Sequence, residues 1–365
     1  MNRAIVCGLA GLAGGFLLSG PGLAGDYHAP RNGFGQPDLG SSWSNATLTP
    51  QLRSPLYGTR RVQTPEEVRL LENANAAKDA AGRKASDAGA AASDPKADNV
   101  GAYDRTWIDN GALVMRVNGE PRTSLITTGD GQPPPAKGAP KRVPSADAGS
   151  RDAGLKAVQQ AAAVDIFEGQ GSVAAARAAS YDNPENRSLG ERCILGFGRS
   201  AGPPMFPNGW YNNNYLLAQS PTEVAVVIEM VHDVRHIRLN GTHRTDQVRP
   251  YFGDSIGWWD GDTLVVETDH IPQSQAYYGA WQNLTVRERF TRVAADRLRY
   301  QFTVSDPTVW DQPWGGEYEF HALKGQVFEY ACHEGNYALP GILSGAREEE
   351  RRAAQAKPAA VTGGQ

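Results

Sequence analysis

Past its first residues the chain has no long apolar run, no basic surplus and only two cysteines, and it lacks the short motifs that mark common enzyme classes. It contains no phosphate-cradling glycine loop ahead of a helix, no Gly-x-Ser-x-Gly elbow and no Cys-x-x-Cys pair, which disfavours nucleotide enzymes, α/β-hydrolases and thiol oxidoreductases. No His-x-His or His-Glu-x-x-His spacing occurs, so neither a metal nor a cofactor is assigned. A net charge of −4 and a pI near 6.0 leave no cationic excess for phosphates or anionic lipid, so nucleic acid is not expected as a partner. No segment beyond residue 24 approaches the ~20 apolar residues of a membrane span, and no membrane insertion is expected.

What the chain does have begins with an export signal. Arg3 precedes the apolar run from Ala4 to Leu18, and Gly22-Leu23-Ala24 supplies a small-x-small cleavage pattern. The reading is a signal peptide over residues 1–24, with a mature chain starting near Gly25 and a periplasmic or secreted address. A membrane anchor is the alternative, but Gly20-Pro21 breaks a run already too short. Cleavage removes Cys7 and leaves Cys193 and Cys332, which an oxidising compartment allows to form a disulfide. Two buried, reduced thiols are the other possibility.

Composition then divides the mature chain. Ala74 to Ala97 and Gln132 to Ala163 are rich in Ala, Lys, Asp, Gly, Ser and Pro, too apolar-poor to offset their ordering entropy, and read as linkers or solvated helices. Between them, Thr64-Pro65-Glu66-Glu67 predicts the start of a short helix. Tyr103 to Val117 and Arg122 to Ile126 suggest strands that dock elsewhere. Residues 25–190 are therefore an arm, 191–347 a β-domain and 348–365 a disordered tail. In the β-domain, strands are predicted at Val224–Val231, Val234–Leu239, Thr263–Asp269, Thr285–Val293, Arg297–Ser305, Glu317–Leu323 and Val327–Cys332, with a hairpin-type turn at Asn240-Gly241. In Arg297–Ser305, Leu298, Tyr300, Phe302 and Val304 alternate with polar residues. No helical pattern separates these strands. The expected fold is mainly β, an antiparallel meander closed as a lipocalin-like β-barrel, because closure removes exposed edges.

Arg122-Thr123-Ser124-Leu125-Ile126, Asn212-Asn213-Asn214-Tyr215, Glu229-Met230-Val231-His232-Asp233, the stretch Gly253 to Val266, and Tyr330-Ala331-Cys332-His333-Glu334-Gly335-Asn336-Tyr337 together resemble a family of uncharacterised exported bacterial proteins. The resemblance runs from about Pro37 and is densest over 191–347. It implies a shared architecture and an extracytoplasmic address, and carries no activity over.

Polar clusters supply the candidate chemistry. Glu229 interrupts an apolar strand, next to His232 and Asp233 and across from Arg235, a set able to act as base, acid and charge stabiliser. The bland alternative is a cross-hairpin ion pair from Glu229 to Arg235 or Arg238, with His232-Asp233 making the turn. His333 and Glu334 follow Cys332, where a disulfide would hold them rigidly beside Asn212, Asn213, Asn214 and Tyr215. A strand-ending turn capped by Asn336 explains them equally. Trp258 in the Gly257-to-Asp262 turn, with Trp310 and Trp314 on loops, offers indole faces to a sugar or phenolic ligand, or plugs a barrel end. Two functions follow: an exported enzyme using acid/base chemistry on a small polar or aromatic molecule (a lyase, isomerase or hydrolase), or a non-catalytic small-molecule carrier. An envelope scaffold using the arm to bind a partner is a third.

Overall fold

Period-two alternation sets the wall of the molecule. Along Arg297–Ser305, Leu298, Tyr300, Phe302 and Val304 are buried while Arg297, Arg299, Gln301 and Thr303 between them are not. In a computed structural model this strand lies in a closed barrel. The structure describes residues 27–91, 109, 111–140, 148–163, 183–194, 196, 199–200, 202–207 and 213–356. The expected signal peptide lies outside these, as do Asn212, most of Tyr103 to Asn110 and the last residues of the tail.

The arm contributes β1 (Ser41–Ser44), α1 (Pro65–Ala91), the two-stranded β2 (Arg116–Val117) and β3 (Glu120–Pro121), and α2 (Arg151–Ala163). The barrel continues with β4 (Asn214–Gln219), β5 (Glu223–Ile228), β6 (Val234–Leu239), β7 (Asp254–Asp260), β8 (Thr263–Asp269), β9 (Thr285–Ala294), β10 (Arg297–Ser305) and β11 (Trp314–Ala322), and two helices follow, α3 (Cys332–Gly335) and α4 (Ala338–Ala356). Strands β4 to β11 neighbour one another in chain order, and β1 enters between β11 and β4. Every barrel pair is antiparallel except β6–β7, which is parallel.

That parallel pair corrects the hairpin expected at Asn240-Gly241. Asn240 does turn with φ 55°, but the chain then travels along the barrel wall through 241–253 before β7 begins. Residues 257–260, expected as a turn, are strand. Val327–Cys332 is not a strand, because the edge of β11 it would need is already taken by the arm. The helix that starts at Thr64 is longer than expected. Thr64 caps it as foreseen, its hydroxyl accepting from the Glu67 N–H at 3.2 Å while Glu67 accepts from the Thr64 N–H at 2.8 Å. The Ala-rich sequence beyond then sustains helix to Ala91. The C-terminal segment, expected as disordered from 348, is helical to Ala356, with Glu348 paired to Arg351 and Arg352 one turn on.

Closure of the barrel is shared between two pieces of the arm. β1 pairs along β4 but meets β11 only at His321 and Ala322. Nearer the start of β11 the arm supplies a second strand-like piece: the Glu317 N–H donates to Leu125 O at 2.9 Å and the Thr127 N–H to Gly315 O at 3.0 Å. Gly316 permits this approach, since a Cβ there would lie 2.4 Å from Leu125 O and 2.6 Å from the Phe302 ring. Gly316→Val is therefore expected to lower stability by roughly 1–3 kcal/mol and to release residues 122–127 to proteolysis. An unchanged cleavage pattern and melting temperature would show that the seam closes without this contact.

The lumen is packed with side chains. Trp43, Tyr215, Phe290, Tyr300, Tyr318 and Phe320 are fully buried. Among them lies a charge pair: Arg235 of β6 donates to both oxygens of Glu288 of β9, one bond at 3.0 Å, and also to Thr268 at 2.7 Å and Ser255 at 3.2 Å. Tyr300 donates to the same carboxylate at 2.7 Å. Burial opposes the guanidinium charge, but Glu288 outweighs it and holds Arg235 above its ordinary value. Burial keeps the Tyr300 and Tyr318 phenols far above theirs, and they remain neutral donors.

Candidate functional site

The two ends of the barrel differ. At one, strands are joined by Ser220-Pro221-Thr222, Gly261-Asp262 and Ala295-Asp296 alone; at the other the connections are 229–233, 270–284 and 306–313. Binding and catalytic groups concentrate on such longer loops, held by a rigid scaffold. The Glu229–Asp233 segment lies at this loop-bearing end.

Its backbone is unusual. Val231 has φ 58° and the next residue, His232, φ 47°, so two consecutive non-glycine residues, one of them β-branched, occupy the left-handed region. This double kink delivers Asp233 to the start of β6. Glu229, just before it, is buried, and its carboxylate accepts from the Asn214 amide at 2.6 Å and the Phe328 N–H at 3.0 Å. The ion pair from Glu229 to Arg235 or Arg238 does not form: Arg235 turns into the lumen toward Glu288, and Arg238 binds both oxygens of Asp254 at 2.7 and 2.9 Å. Arg235 is thereby placed in the core, out of reach of any ligand.

Asp233 stands differently. Half-buried, its carboxyl is pushed up to about 6 by burial, with the nearby His232 and the Gly196 N–H opposing the rise. The Tyr251 phenol is close enough to feel that charge and is pushed up to about 12, chiefly by burial and then by Asp233. This puts a carboxyl with a proton affinity near neutrality beside a phenol, both at the loop-bearing end.

The remaining expected site residues are scattered. His232, His333 and Glu334 are exposed; the His232 backbone N–H donates to Glu229 O at 3.2 Å, but among the described residues no side-chain hydrogen bond or ion pair joins the three to one another or to the Glu229 carboxylate. Cys193 and Cys332 are bridged as expected, with Cα atoms 5.6 Å apart. Asn336 serves that junction, its amide donating to Glu191 O at 2.8 Å and meeting Cys193 Sγ at 3.4 Å. Asn213 is buried and donates to Asp109 O at 2.6 Å, and Tyr215 is buried with its hydroxyl on Ser200 O at 2.9 Å. Trp258 is half-buried on the outer wall, 6.0 Å from the Arg287 guanidinium. Trp310 and Trp314 do come together, ring centroids 5.4 Å apart, and Trp314 stacks on Tyr277 at 5.6 Å.

One cluster had no signal in the sequence. His243 Nδ1 lies 3.1 Å from Asp254 and 3.0 Å from Asp269, and ligand atoms of the three fall within 4.8 Å of one another. They are the residues that could hold a divalent cation. Asp254 Oδ2, however, already accepts from Arg238, the Arg244 N–H and His243, so its charge is already met by Arg238. These donors hold the Asp254 carboxyl below its ordinary value despite burial, the Arg244 N–H foremost. The three residues meet only because the 241–253 crossover lies against β7 and β8, and no local spacing announces that.

Neither a known protein family nor any curated protein or solved structure matches the chain. Among the described residues no helix is long and apolar enough to cross a membrane. The disulfide fits an oxidising compartment.

Proposed function

We propose that the protein is an exported enzyme that uses acid/base chemistry on a small polar or aromatic molecule at the loop-bearing end of the barrel, with Asp233 as the proton-transfer group. The observation that carries the reading is the left-handed pair Val231-His232, a backbone cost incurred where it sets down a half-buried carboxyl titrating near 6. Such a group accepts a proton at neutral pH and returns it readily. The Tyr251 phenol feels the Asp233 charge, but its hydroxyl is buried and it is assigned no contact with substrate. Glu229 has a positioning role: it anchors Asn214 and the 328 backbone, and so fixes the segment from which Asp233 projects. His333 and Glu334 drop out of the mechanism. The resemblance to exported bacterial proteins and the disulfide both support the extracytoplasmic address.

Asp233→Asn is the test. Turnover detected in a screen of sugars and phenolics should fall by at least ~100-fold, the usual share of a general acid or base, while folding is retained. Stability supplies a second readout. Because the folded-state value is raised, the proton favours the folded state. That contribution is complete below the unfolded value of 3.8 and is lost as pH rises through about 6. The Asn variant should lack this descending limb and melt higher at pH 7. Full activity in Asp233→Asn would end the assignment.

A further inference from the structure

The segment that carries Asp233 is held from two sides, and the two holds meet at the disulfide. On one side stands Gly196, shortly after Cys193 in the chain. Its N–H faces the Asp233 carboxyl, and a Cβ at Gly196 would lie 2.3 Å from Met230 Cγ, so the backbone there is pressed against the residue that precedes the kink. On the other side stands Phe328, shortly before Cys332, with its N–H donating to the Glu229 carboxylate at 3.0 Å. Glu229 and Asp233 bracket the left-handed pair Val231-His232. Each end of the kink is thus gripped by a segment that the Cys193–Cys332 bond ties to the other.

Two observations make that bond decisive. No residue from Lys324 to Ala331 is buried, and Tyr330 packs only partly on the core, so apolar burial contributes little to holding Phe328 against Glu229. A backbone held in the left-handed region at two successive non-glycine residues persists only where its surroundings over-determine it. The bond is also reachable from one side. Cys193 is 2 % exposed, whereas Cys332 is half-buried, and the Asn336 amide donates toward Cys193 Sγ at 3.4 Å. The thiolate of a dithiol therefore attacks the Cys332 sulfur, the S–S bond breaks, and Cys193 leaves as a thiolate beside that amide. The second sulfur of the dithiol then attacks the mixed disulfide and releases Cys332. Two electrons and two protons pass to the two cysteines, and the dithiol becomes a disulfide.

We propose that the bridge is a redox-sensitive clamp on the kink: reduction by a dithiol frees both gripping segments, lets Val231 and His232 relax, and carries Asp233 out of its half-buried setting. The inference concerns regulation of the Asp233 site, and it rests on that reading for its effect on turnover but not for the structural change. Once burial no longer raises it, the carboxyl returns toward 3.8 and is a weaker base at neutral pH. Reduction switches the site off.

Amide hydrogen exchange of the full chain, before reduction with dithiothreitol, after it and after reoxidation, reads the clamp directly. The reporters are Ile228, Glu229 and His232, whose N–H groups donate to Asp233 O, Asn214 O and Glu229 O; the amides of β10 are the internal reference. Reduction should speed exchange of the reporters at least about tenfold, the scale of one lost hydrogen bond to a charged group, leave β10 unchanged, and reverse on reoxidation. An NMR titration should show Asp233 moving from about 6 toward 3.8 at the same time. Phe328→Pro keeps the bridge and removes the N–H that grips Glu229, so the oxidised variant should show the same acceleration at the Glu229 amide. Equal exchange of the reporters in both redox states, equal acceleration across β10, or an unchanged profile in Phe328→Pro overturns the inference. Full activity in Asp233→Asn with the exchange difference intact would instead end the catalytic assignment and leave the clamp standing.

Discussion

Exchanging Glu288 for glutamine is expected to lower the free energy of unfolding by about 3–5 kcal/mol, the cost of leaving a buried charge without its counter-ion. Arg235 is 1 % exposed and Glu288 0 %, so no solvent stands by to replace the lost charge. The amide can still meet Arg235 and Tyr300 with its oxygen, but Thr268 and Ser255 are neutral and cannot balance the guanidinium. Calorimetry should show one cooperative transition at a much lower temperature. The double change Arg235→Met with Glu288→Leu should recover most of the loss, because apolar residues of similar volume commonly replace a buried pair at little cost. A loss below about 1 kcal/mol in Glu288→Gln would mean that water reaches the pair, since that is the scale of exposed ion pairs.

Removing the Cys193–Cys332 bridge is the other large effect. The two residues are 139 apart in sequence, and loop closure over that length is worth up to about 5 kcal/mol from chain entropy. Because the bridge ties peripheral segments, not barrel strands, part of the loss should appear as early detachment of the segment from 323 to 336. The Cys193→Ser, Cys332→Ser double variant is thus expected to lose about 2–5 kcal/mol, with protease cuts near Phe328, which is 64 % exposed. Mass spectrometry of the mature wild type without reductant should find the two cysteines linked. Two alkylatable thiols in the native protein would refute the bridge.

What the sequence discloses is what local patterning controls. β10 is readable because its inward and outward residues alternate without a break, and α1 because its capping box lies within four consecutive residues. The disulfide is readable because Cys7 falls in the expected signal peptide and only two cysteines follow it. Where the sequence misleads, the deciding contact is distant. Glu229 and Arg235 look like partners at six residues' separation, yet Arg235 finds Glu288 on β9, a choice made by the closing of the lumen. Gly257-Trp258-Trp259-Asp260-Gly261-Asp262 has turn composition throughout, but only Gly261 and Asp262 make the turn, because antiparallel pairing with β8, from Gly257 opposite Val266 to Asp260 opposite Thr263, draws the preceding residues into strand. Val327–Cys332 has the apolar content of a strand and no vacant edge to join. In the candidate site, Asp233 was legible as a polar residue after an apolar strand. Tyr251 was not, since nothing in the sequence shows that the crossover returns it to that neighbourhood.

The seam filled by the arm fixes an order of events during synthesis. β1 can pair with β4 once that strand is made, but its partners on β11 are among the last barrel residues to appear, so the seam stays open while the rest of the wall assembles. Contacts so far apart in sequence form late and slowly, which makes the joining of β1 and residues 125–127 to β11 the closing step of folding. Until then β1 and β11 are open edges. The pairings that complete the barrel within one molecule are equally available between two, with the arm of each entering the seam of the other. Concentration at the moment of folding, more than any surface on the finished barrel, then sets the share of exchanged dimer that size-exclusion chromatography would resolve.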